Sequence, residues 1–113
     1  MIRPVPFDGA RRVVIKIGSS VLRDGKGFDR ATFASLVRGI STLRDHGLEC
    51  VVVCSGAVAL GFPLLGLEGR PRKMERLQAA AAVGQGRLMR FWSDELGHYD
   101  AVVAQVLLTH DDL

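Results

Sequence analysis

Three short apolar runs rich in β-branched residues divide the chain and predict three strands. They span residues 13–17, 50–54 and 101–108, and none alternates clearly between apolar and polar positions. Runs of this kind are typical of strands in a parallel sheet whose two faces are both covered by helices. We therefore expect three buried strands, the third running from Ala101 to Leu108.

Helical periodicity follows the first strand. One apolar face recurs at helical spacing, and its members are Phe33, Leu36, Val37, Ile40 and Leu43. Asp29 is placed as the N-cap of this helix, and Phe28 and Phe33 flank it as a hydrophobic staple. Gly47 suits the position just after the C-cap.

Two more helices are predicted between the second and third strands. The first is short, from Val58 to about Leu60, and the second is long and begins near Lys73. The predicted inner face of the long helix consists of Leu77, Ala81, Gly84, Leu88, Phe91 and Glu95 with Leu96. Gly84 and Gly86 lower its helix propensity, but small residues allow close helix packing. The order β-α-β-α-α-β predicts an α/β fold with a mainly parallel sheet.

Composition places the chain among ordinary soluble globular domains. It has 113 residues, of which 48% are hydrophobic and 24% charged, and its formal net charge is +3. The densest basic group lacks interleaved aromatic residues; it consists of Arg70, Arg72, Lys73 and Arg76. We interpret this group as solvated surface and expect no nucleic-acid partner.

The cysteines and the amino terminus indicate a cytoplasmic protein. Cys50 and Cys54 lie on one predicted strand, roughly 13 Å apart, too far for a disulfide. Free buried thiols are typical of a reducing compartment. Met1–Ala10 lacks the apolar segment of a signal peptide, and no run is long enough to span a membrane. We expect no metal site at the cysteines and no membrane partner.

The first candidate site follows the first strand. Lys16 is the one charge within that strand, and Gly18, Ser19 and Ser20 come after it. Strand alternation puts Val14, Lys16 and Gly18 on one face, where a buried ammonium needs an anionic partner. A phosphate held by backbone N–H groups and serine hydroxyls would supply that partner. A strand-end lysine that reaches water is the equal alternative. The loop matches neither the Walker A motif nor the dinucleotide fingerprint.

The second candidate site follows the second strand. Ser55 is predicted as the N-cap of the short helix, and the N–H groups of Gly56 and Ala57 would then face an anion. An amino-acid carboxylate fits such a corner, and a plain helix cap is the alternative. After the third strand, Asp111 and Asp112 are placed to meet a ligand ammonium, to order a loop or to cap a following helix.

Four segments in these same regions resemble the amino acid kinase family. They are residues 14–22, 55–61, 79–86 and 105–109, and they appear in the order of the family over nearly the whole chain. Ser-Gly-Ala in the second segment is similar to the glutamate 5-kinase branch, whereas other branches usually carry consecutive glycines there.

The resemblance implies a fold, a reaction and a set of roles. The fold is a three-layer α/β/α sandwich, and the reaction is ATP-dependent phosphorylation of the γ-carboxylate of L-glutamate, the first step of proline biosynthesis. Lys16 would be catalytic and contact the transferred phosphoryl group. Residues 18–20 would bind ATP phosphates, and residues 55–57 would hold glutamate. The family also implies Mg²⁺ and a homo-oligomer.

The family's kinase domain is much longer than this chain. We therefore expect residues 1–113 to be the N-terminal portion of a single kinase domain, partial in its sheet and inactive when isolated. Two alternatives stay open. One is a non-catalytic half-domain that binds a partner, and the other is an amino acid kinase with a different carboxylate or phosphate acceptor.

Overall fold

The computed structural model describes residues 9–24 and 27–112 of the chain. In chain order the elements are β1 (Arg12–Ile17), β2 (Arg23–Asp24), β3 (Gly27–Phe28), α1 (Arg30–Asp45), β4 (Glu49–Cys54), α2 (Ala57–Gly61) and α3 (Met74–Gly97). Short 3-10 turns occupy Ser19–Leu22, Pro63–Leu65 and His110–Asp112. Predictions that concern residues 1–8, Gly25, the Ser19 hydroxyl and the Phe28 staple lie outside the described part.

The central feature is a parallel pair of strands. β1 and β4 run side by side in register from Arg12 opposite Glu49 to Ile17 opposite Cys54. Arg12 and Glu49 also form an exposed ion pair, with Nη2 2.9 Å from Oε2, which adds little stability in solvent. β2 and β3 form a separate antiparallel hairpin. The predicted α/β class with parallel strands is confirmed.

Helices α1 and α3 cover one face of the β1–β4 pair. The buried core beneath them consists of Ile17, Leu22, Phe33, Val37, Ile40, Leu88, Trp92 and Leu96. The ring of Phe33 meets that of Trp92 edge to face, with centroids 4.6 Å apart, an arrangement favoured by the aromatic quadrupoles. This contact joins the two helices above the strands.

The opposite face of the same strands is open to solvent. Val14 is 64% exposed, Val51 and Val53 are 45% and 49% exposed, and Lys16 lies exposed among them. The prediction of strands buried on both faces is therefore wrong for the described residues, because their helices pack on one side only. These residues supply two layers of the expected sandwich, and the ammonium of Lys16 is not buried.

Residues 101–108 do not form the predicted third strand. They face β4 across an apolar cleft of about 720 Å³, and Val102 is 97% exposed. A strand exists only as part of a hydrogen-bonded ladder, and across the cleft this segment meets no backbone partner among the described residues. Its apolar pattern indicates strand propensity, but the ladder that would use it is missing.

The buried face of α1 and the glycine that follows its C-terminal end agree with the prediction. Phe33, Val37 and Ile40 are buried, and Leu36 and Leu43 are half-buried. The predicted glycine follows the C-cap, His46: Gly47 has φ +83° and donates its N–H to the carbonyl of Arg44 at 2.8 Å. The next residue, Leu48, donates to Leu43 at 3.2 Å. These two bonds satisfy carbonyls that the last turn would otherwise leave unpaired.

Asp29 is the N-cap of α1, as predicted, and its carboxylate gives a pH-dependent contribution to stability. Oδ1 accepts the N–H of Thr32 at 3.0 Å, and Oδ2 accepts the Thr32 hydroxyl at 2.6 Å. The side-chain bond from Thr32, followed by the backbone bond, lowers the pKa of Asp29 below its ordinary 3.8. A lowered folded-state pKa means that the contribution is present above 3.8 and is lost as pH falls through the lowered value.

We expect Asp29→Ala to lower the urea midpoint of the chain at neutral pH, because it removes the cap, and to lower it less at acidic pH. Asp29→Asn retains a capping oxygen and should weaken the chain less. Asp94→Ala, which removes an exposed carboxylate from α3, is the matched control. An equal midpoint shift for Asp29→Ala at both pH values would contradict the assignment.

Helix α3 begins at the predicted position but presents a slightly different face. Its buried residues fall at every fourth position: Ala80, Gly84, Leu88, Trp92 and Leu96. Gly84, Leu88 and Leu96 were predicted, whereas Ala80 and Trp92 are buried in place of Ala81 and Phe91, which are half-buried. Steps of four keep one line of residues against α2 and the core, while the predicted pattern mixed steps of three and four.

Candidate functional site

The two candidate loops leave adjacent strands at the same edge of the sheet. Ile17 and Cys54 are register partners at the carboxyl ends of β1 and β4. Just beyond them, the N–H of Ser55 donates to the carbonyl of Ile17 at 3.4 Å. Gly18 and Ser55 therefore begin two neighbouring loops. The carboxyl ends of parallel strands are where open α/β sheets bind ligands.

Lys16 lies one residue before this edge, on the open face of β1. Its register partner on β4 is Val53, and both side chains are exposed. No carboxylate forms an ion pair with Lys16 in the described ranges. Its ammonium is therefore available to an anionic ligand that approaches over the strand ends. The prediction that this charge is buried is wrong, and an exposed ammonium needs no anionic partner to offset desolvation.

The loop after β1 is a tight turn with exposed backbone at its start. Gly18 is exposed, and a Cβ added there would meet nothing within 4 Å. The Gly18 carbonyl accepts the N–H of Val21 at 3.1 Å, and the buried side chain of Leu22 holds the end of the turn in the core. Ser20 is exposed. A ligand can therefore reach the backbone at Gly18 without a steric barrier.

The loop after β4 differs from the prediction in its cap. Gly56, not Ser55, is the N-cap of α2, with φ +119° and ψ +4° and no side-chain cap bond. A left-handed backbone, which glycine adopts without a steric penalty, turns the chain from strand to helix in one residue. Ser55 therefore does not cap the helix, and its exposed side chain lies beside the turn. The N–H groups of the first turn of α2 have no partner within the helix.

The two thiols lie on the covered face of the strands. Cys50 and Cys54 are free thiols, as predicted, and both are half-buried. Burial raises the pKa of both thiols above the ordinary 9.0. The Cys54 thiol donates to the carbonyl of Ser55 at 3.3 Å. Both thiols stay protonated at neutral pH, and the thiolate is the reactive form.

Asp112 orders a turn at the end of the described chain. Its Oδ2 accepts the backbone N–H of Thr109 at 2.8 Å and the Thr109 hydroxyl at 3.0 Å. The backbone bond, followed by the side-chain bond, lowers the pKa of Asp112. Of the three predicted roles, loop ordering is the one observed for Asp112. Contact of Asp111 with a ligand ammonium stays a prediction.

The sequence does not reveal that α3 supports the loop after β4. A Cβ added at Gly84 of α3 would overlap the carbonyl oxygen of Ala57, so the helix packs directly on the loop. Small residues in α3 indicated close packing, but they did not identify α2 as the neighbour.

Over residues 9–24 and 27–112, no group of three or more His, Cys, Asp and Glu side chains is arranged to bind a metal. None of the helices described is both long and apolar enough to cross a bilayer.

Comparisons with known proteins place these loops in a family. The model of the amino acid kinase family matches residues 11–113. The chain is 51% identical over 106 residues to the glutamate 5-kinase of Pseudomonas putida (strain W619), which covers 93% of the chain and 28% of the relative. It is 50% identical over 104 residues to the glutamate 5-kinase of Geobacter metallireducens, covering 91% of the chain and 28% of the relative.

The match includes every element that builds the candidate site. Residues 11–113 contain β1, β4, both loops and the helices α2 and α3. The chain spans little more than a quarter of the length of these relatives, 28% in each case. The parallel pair with its two loops agrees with the α/β fold that the resemblance implied. The chain belongs to the amino acid kinase family.

Proposed function

We propose that this chain provides two loops of an ATP-dependent kinase that acts on the γ-carboxylate of L-glutamate. The phosphate loop consists of residues 16–20, and the acceptor loop consists of residues 55–57. The observation that carries the proposal is the junction of the two loops, where the Ser55 N–H donates to the Ile17 carbonyl at 3.4 Å. Relatives named glutamate 5-kinase, at 51% identity, support the choice of acceptor.

The reaction joins two negatively charged groups. A γ-carboxylate oxygen of glutamate forms a bond to the γ-phosphorus of ATP, the bond from that phosphorus to the bridging oxygen breaks, and ADP leaves. The product is an acyl phosphate, L-glutamate 5-phosphate. Such transfers depend mainly on alignment and on neutralisation of charge. Adjacent loops supply alignment, and the ammonium of Lys16 supplies positive charge at the same edge.

Within this proposal, residues 16–20 act on the phosphate side. Lys16 contacts the transferred phosphoryl group, and the backbone of Gly18 with Ser19 and Ser20 binds ATP phosphates. The exposed Gly18 backbone and the available ammonium of Lys16 support these roles. The described residues include no metal-binding cluster, so we assign none of them to Mg²⁺.

Residues 55–57 act on the acceptor side. The hydroxyl of Ser55 and the N–H groups of Gly56 and Ala57 hold glutamate. Support comes from the left-handed Gly56, which gives the loop a sharp turn with its backbone at the sheet edge, and from the exposure of Ser55. The change of cap from Ser55 to Gly56 favours this role, since the hydroxyl is not occupied in capping α2.

Further chain is needed to complete the domain in this proposal. Val14, Val51 and Val53 are exposed on the open face of the strands, and residues 101–108 lack a ladder partner. We propose that the rest of a single kinase domain covers that face and extends the sheet, as the length of the relatives allows. The homo-oligomer expected from the family stays a prediction.

The test uses a hybrid enzyme, in which this chain replaces the matched 28% of the Pseudomonas putida glutamate 5-kinase. Glutamyl phosphate formed from ATP and glutamate is trapped with hydroxylamine. We expect glutamate-dependent product from the hybrid enzyme and none from the chain alone, because the chain alone leaves the strand face and the cleft open.

Three controls make this result specific. The unaltered Pseudomonas putida enzyme shows that the assay works, and a cooperative thermal transition shows that the hybrid is folded. Aspartate and N-acetylglutamate test for another acceptor. A folded hybrid that is inactive with glutamate, or more active with another acceptor, would overturn the proposal. If the hybrid does not fold, a smaller exchange of residues 14–61 carries both loops into the same parent.

A further inference from the structure

Two helices pack backbone against backbone directly behind the acceptor loop. Helices α2 and α3 cross at two buried glycines, Gly61 and Gly84. A Cβ on Gly84 would overlap the Ala57 carbonyl and lie 2.8 Å from the Gly61 nitrogen. A Cβ on Gly61 would overlap the Ala80 carbonyl and lie 2.9 Å from the Gly84 nitrogen. Backbone therefore packs against backbone, and any side chain at either position forces the helices apart.

This crossing fixes one end of the acceptor loop. Ala57 is the first residue of α2 and carries one of the N–H groups proposed to hold glutamate. Its carbonyl rests on Gly84, and the helical backbone of α2 fixes the torsion between that carbonyl and the N–H of the same residue, so a shift of one shifts the other. A Cβ needs more than 3 Å of clearance from a backbone oxygen. Alanine at position 84 must therefore increase the distance between Ala57 and α3.

The sheet fixes the other end of the same loop. The N–H of Ser55 is bonded to the Ile17 carbonyl at 3.4 Å. Between the two fixed points lies Gly56, whose φ of +119° is strained for other residues. A displacement at Ala57 therefore cannot be absorbed upstream without rotating Gly56 or breaking the strand-end bond. The orientation of the loop depends on contact with α3.

We infer that Gly84, assisted by Gly61, is a positioning residue for the acceptor substrate. It acts through Ala57 and touches no substrate itself. The inference rests on the proposed function, since Ala57 belongs to the loop proposed to hold glutamate. The phosphate loop after β1 makes no such contact with Gly84, so the effect is directed to the acceptor and not to ATP.

The experiment compares three variants of the hybrid enzyme: Gly84→Ala, Gly61→Ala and Gly86→Ala. Gly86 lies two residues along the same helix, is exposed, and a Cβ there meets nothing within 4 Å, so it is the matched control. For Gly84→Ala we expect kcat/KM for glutamate to fall on the order of 10²-fold, the cost of misplacing a reacting group by about 1 Å, with a raised KM for glutamate. The KM for ATP should change by less than about 3-fold.

The two KM values separate positioning from general loss of structure. Gly61→Ala should also raise the KM for glutamate and leave the KM for ATP nearly unchanged, as expected for Gly84→Ala. Gly86→Ala should leave both KM values unchanged. Equal rises for glutamate and ATP in folded Gly84→Ala would overturn the inference. If neither Gly84→Ala nor Gly61→Ala folds at low temperature, the crossing is a folding requirement alone and the positioning role is withdrawn. An inactive unsubstituted hybrid is a separate result, which overturns the proposed function and this inference with it.

Discussion

Lys16→Ala is expected to lower the kcat of the hybrid enzyme by about 10³-fold while leaving its thermal unfolding unchanged. The proposed mechanism brings a carboxylate against a polyphosphate, and Lys16 places a cation one residue before the strand end. Its side chain is exposed and has no ion pair within the described residues, so its loss should change stability by less than about 0.5 kcal/mol. The measurement is trapped glutamyl phosphate formed at saturating ATP and glutamate.

Two further substitutions test whether the charge or its position matters. Lys73→Ala removes another exposed lysine, at the start of α3, and should leave turnover near that of the unsubstituted hybrid. Lys16→Arg keeps the charge but replaces a compact ammonium with a planar guanidinium, and we expect it to recover only part of the activity. Lys16→Ala with near-normal turnover would remove Lys16 from the mechanism. The strand-end lysine that merely reaches water would then be the better interpretation.

Structural features that depend only on neighbouring residues could be predicted from the sequence. The apolar runs predicted β1 and β4, because β-branched residues mark strands wherever they pair. Asp29 and Gly47 predicted the two ends of α1, since a cap depends only on the residues of the first or last turn. The free state of Cys50 and Cys54 followed from their spacing on one strand.

Features that depend on distant chain were not predictable in the same way. Residues 101–108 have the composition of a strand, yet strand formation needs a ladder partner that lies across a cleft. The burial of Lys16 was inferred from its apolar neighbours, but burial depends on a second helical layer. Each inference assumed a completed sheet, and the described residues build only one covered face.

The candidate site combines both kinds of information. Its loops were found from the residues that follow each strand, and the parallel register then showed that they are adjacent at Ile17 and Ser55. The cap was misassigned to Ser55, because a serine after a strand signals a cap while the positive φ of Gly56 cannot be seen in sequence. The contact of Gly84 with Ala57 depends on how α2 crosses α3, which no local pattern specifies.

The largest effect on stability is expected from Leu88→Ala, which should lower the free energy of unfolding of the chain by about 2–5 kcal/mol. Leu88 is 2% exposed and belongs to the core shared by α1, α3 and β1. Truncation removes buried methyl groups and leaves a cavity in the core that also contains the rings of Phe33 and Trp92. Urea unfolding monitored by circular dichroism at neutral pH measures the change.

Leu64→Ala is the matched control for this prediction, because Leu64 is 51% exposed in a short turn and the same atoms are removed. Its unfolding free energy should change by less than about 0.5 kcal/mol. The contrast tests whether the core lies on the covered side of the strands, since Leu88 belongs to that core while Leu64 lies outside it. Similar small losses for both leucines would mean that α3 does not pack on the strands as described.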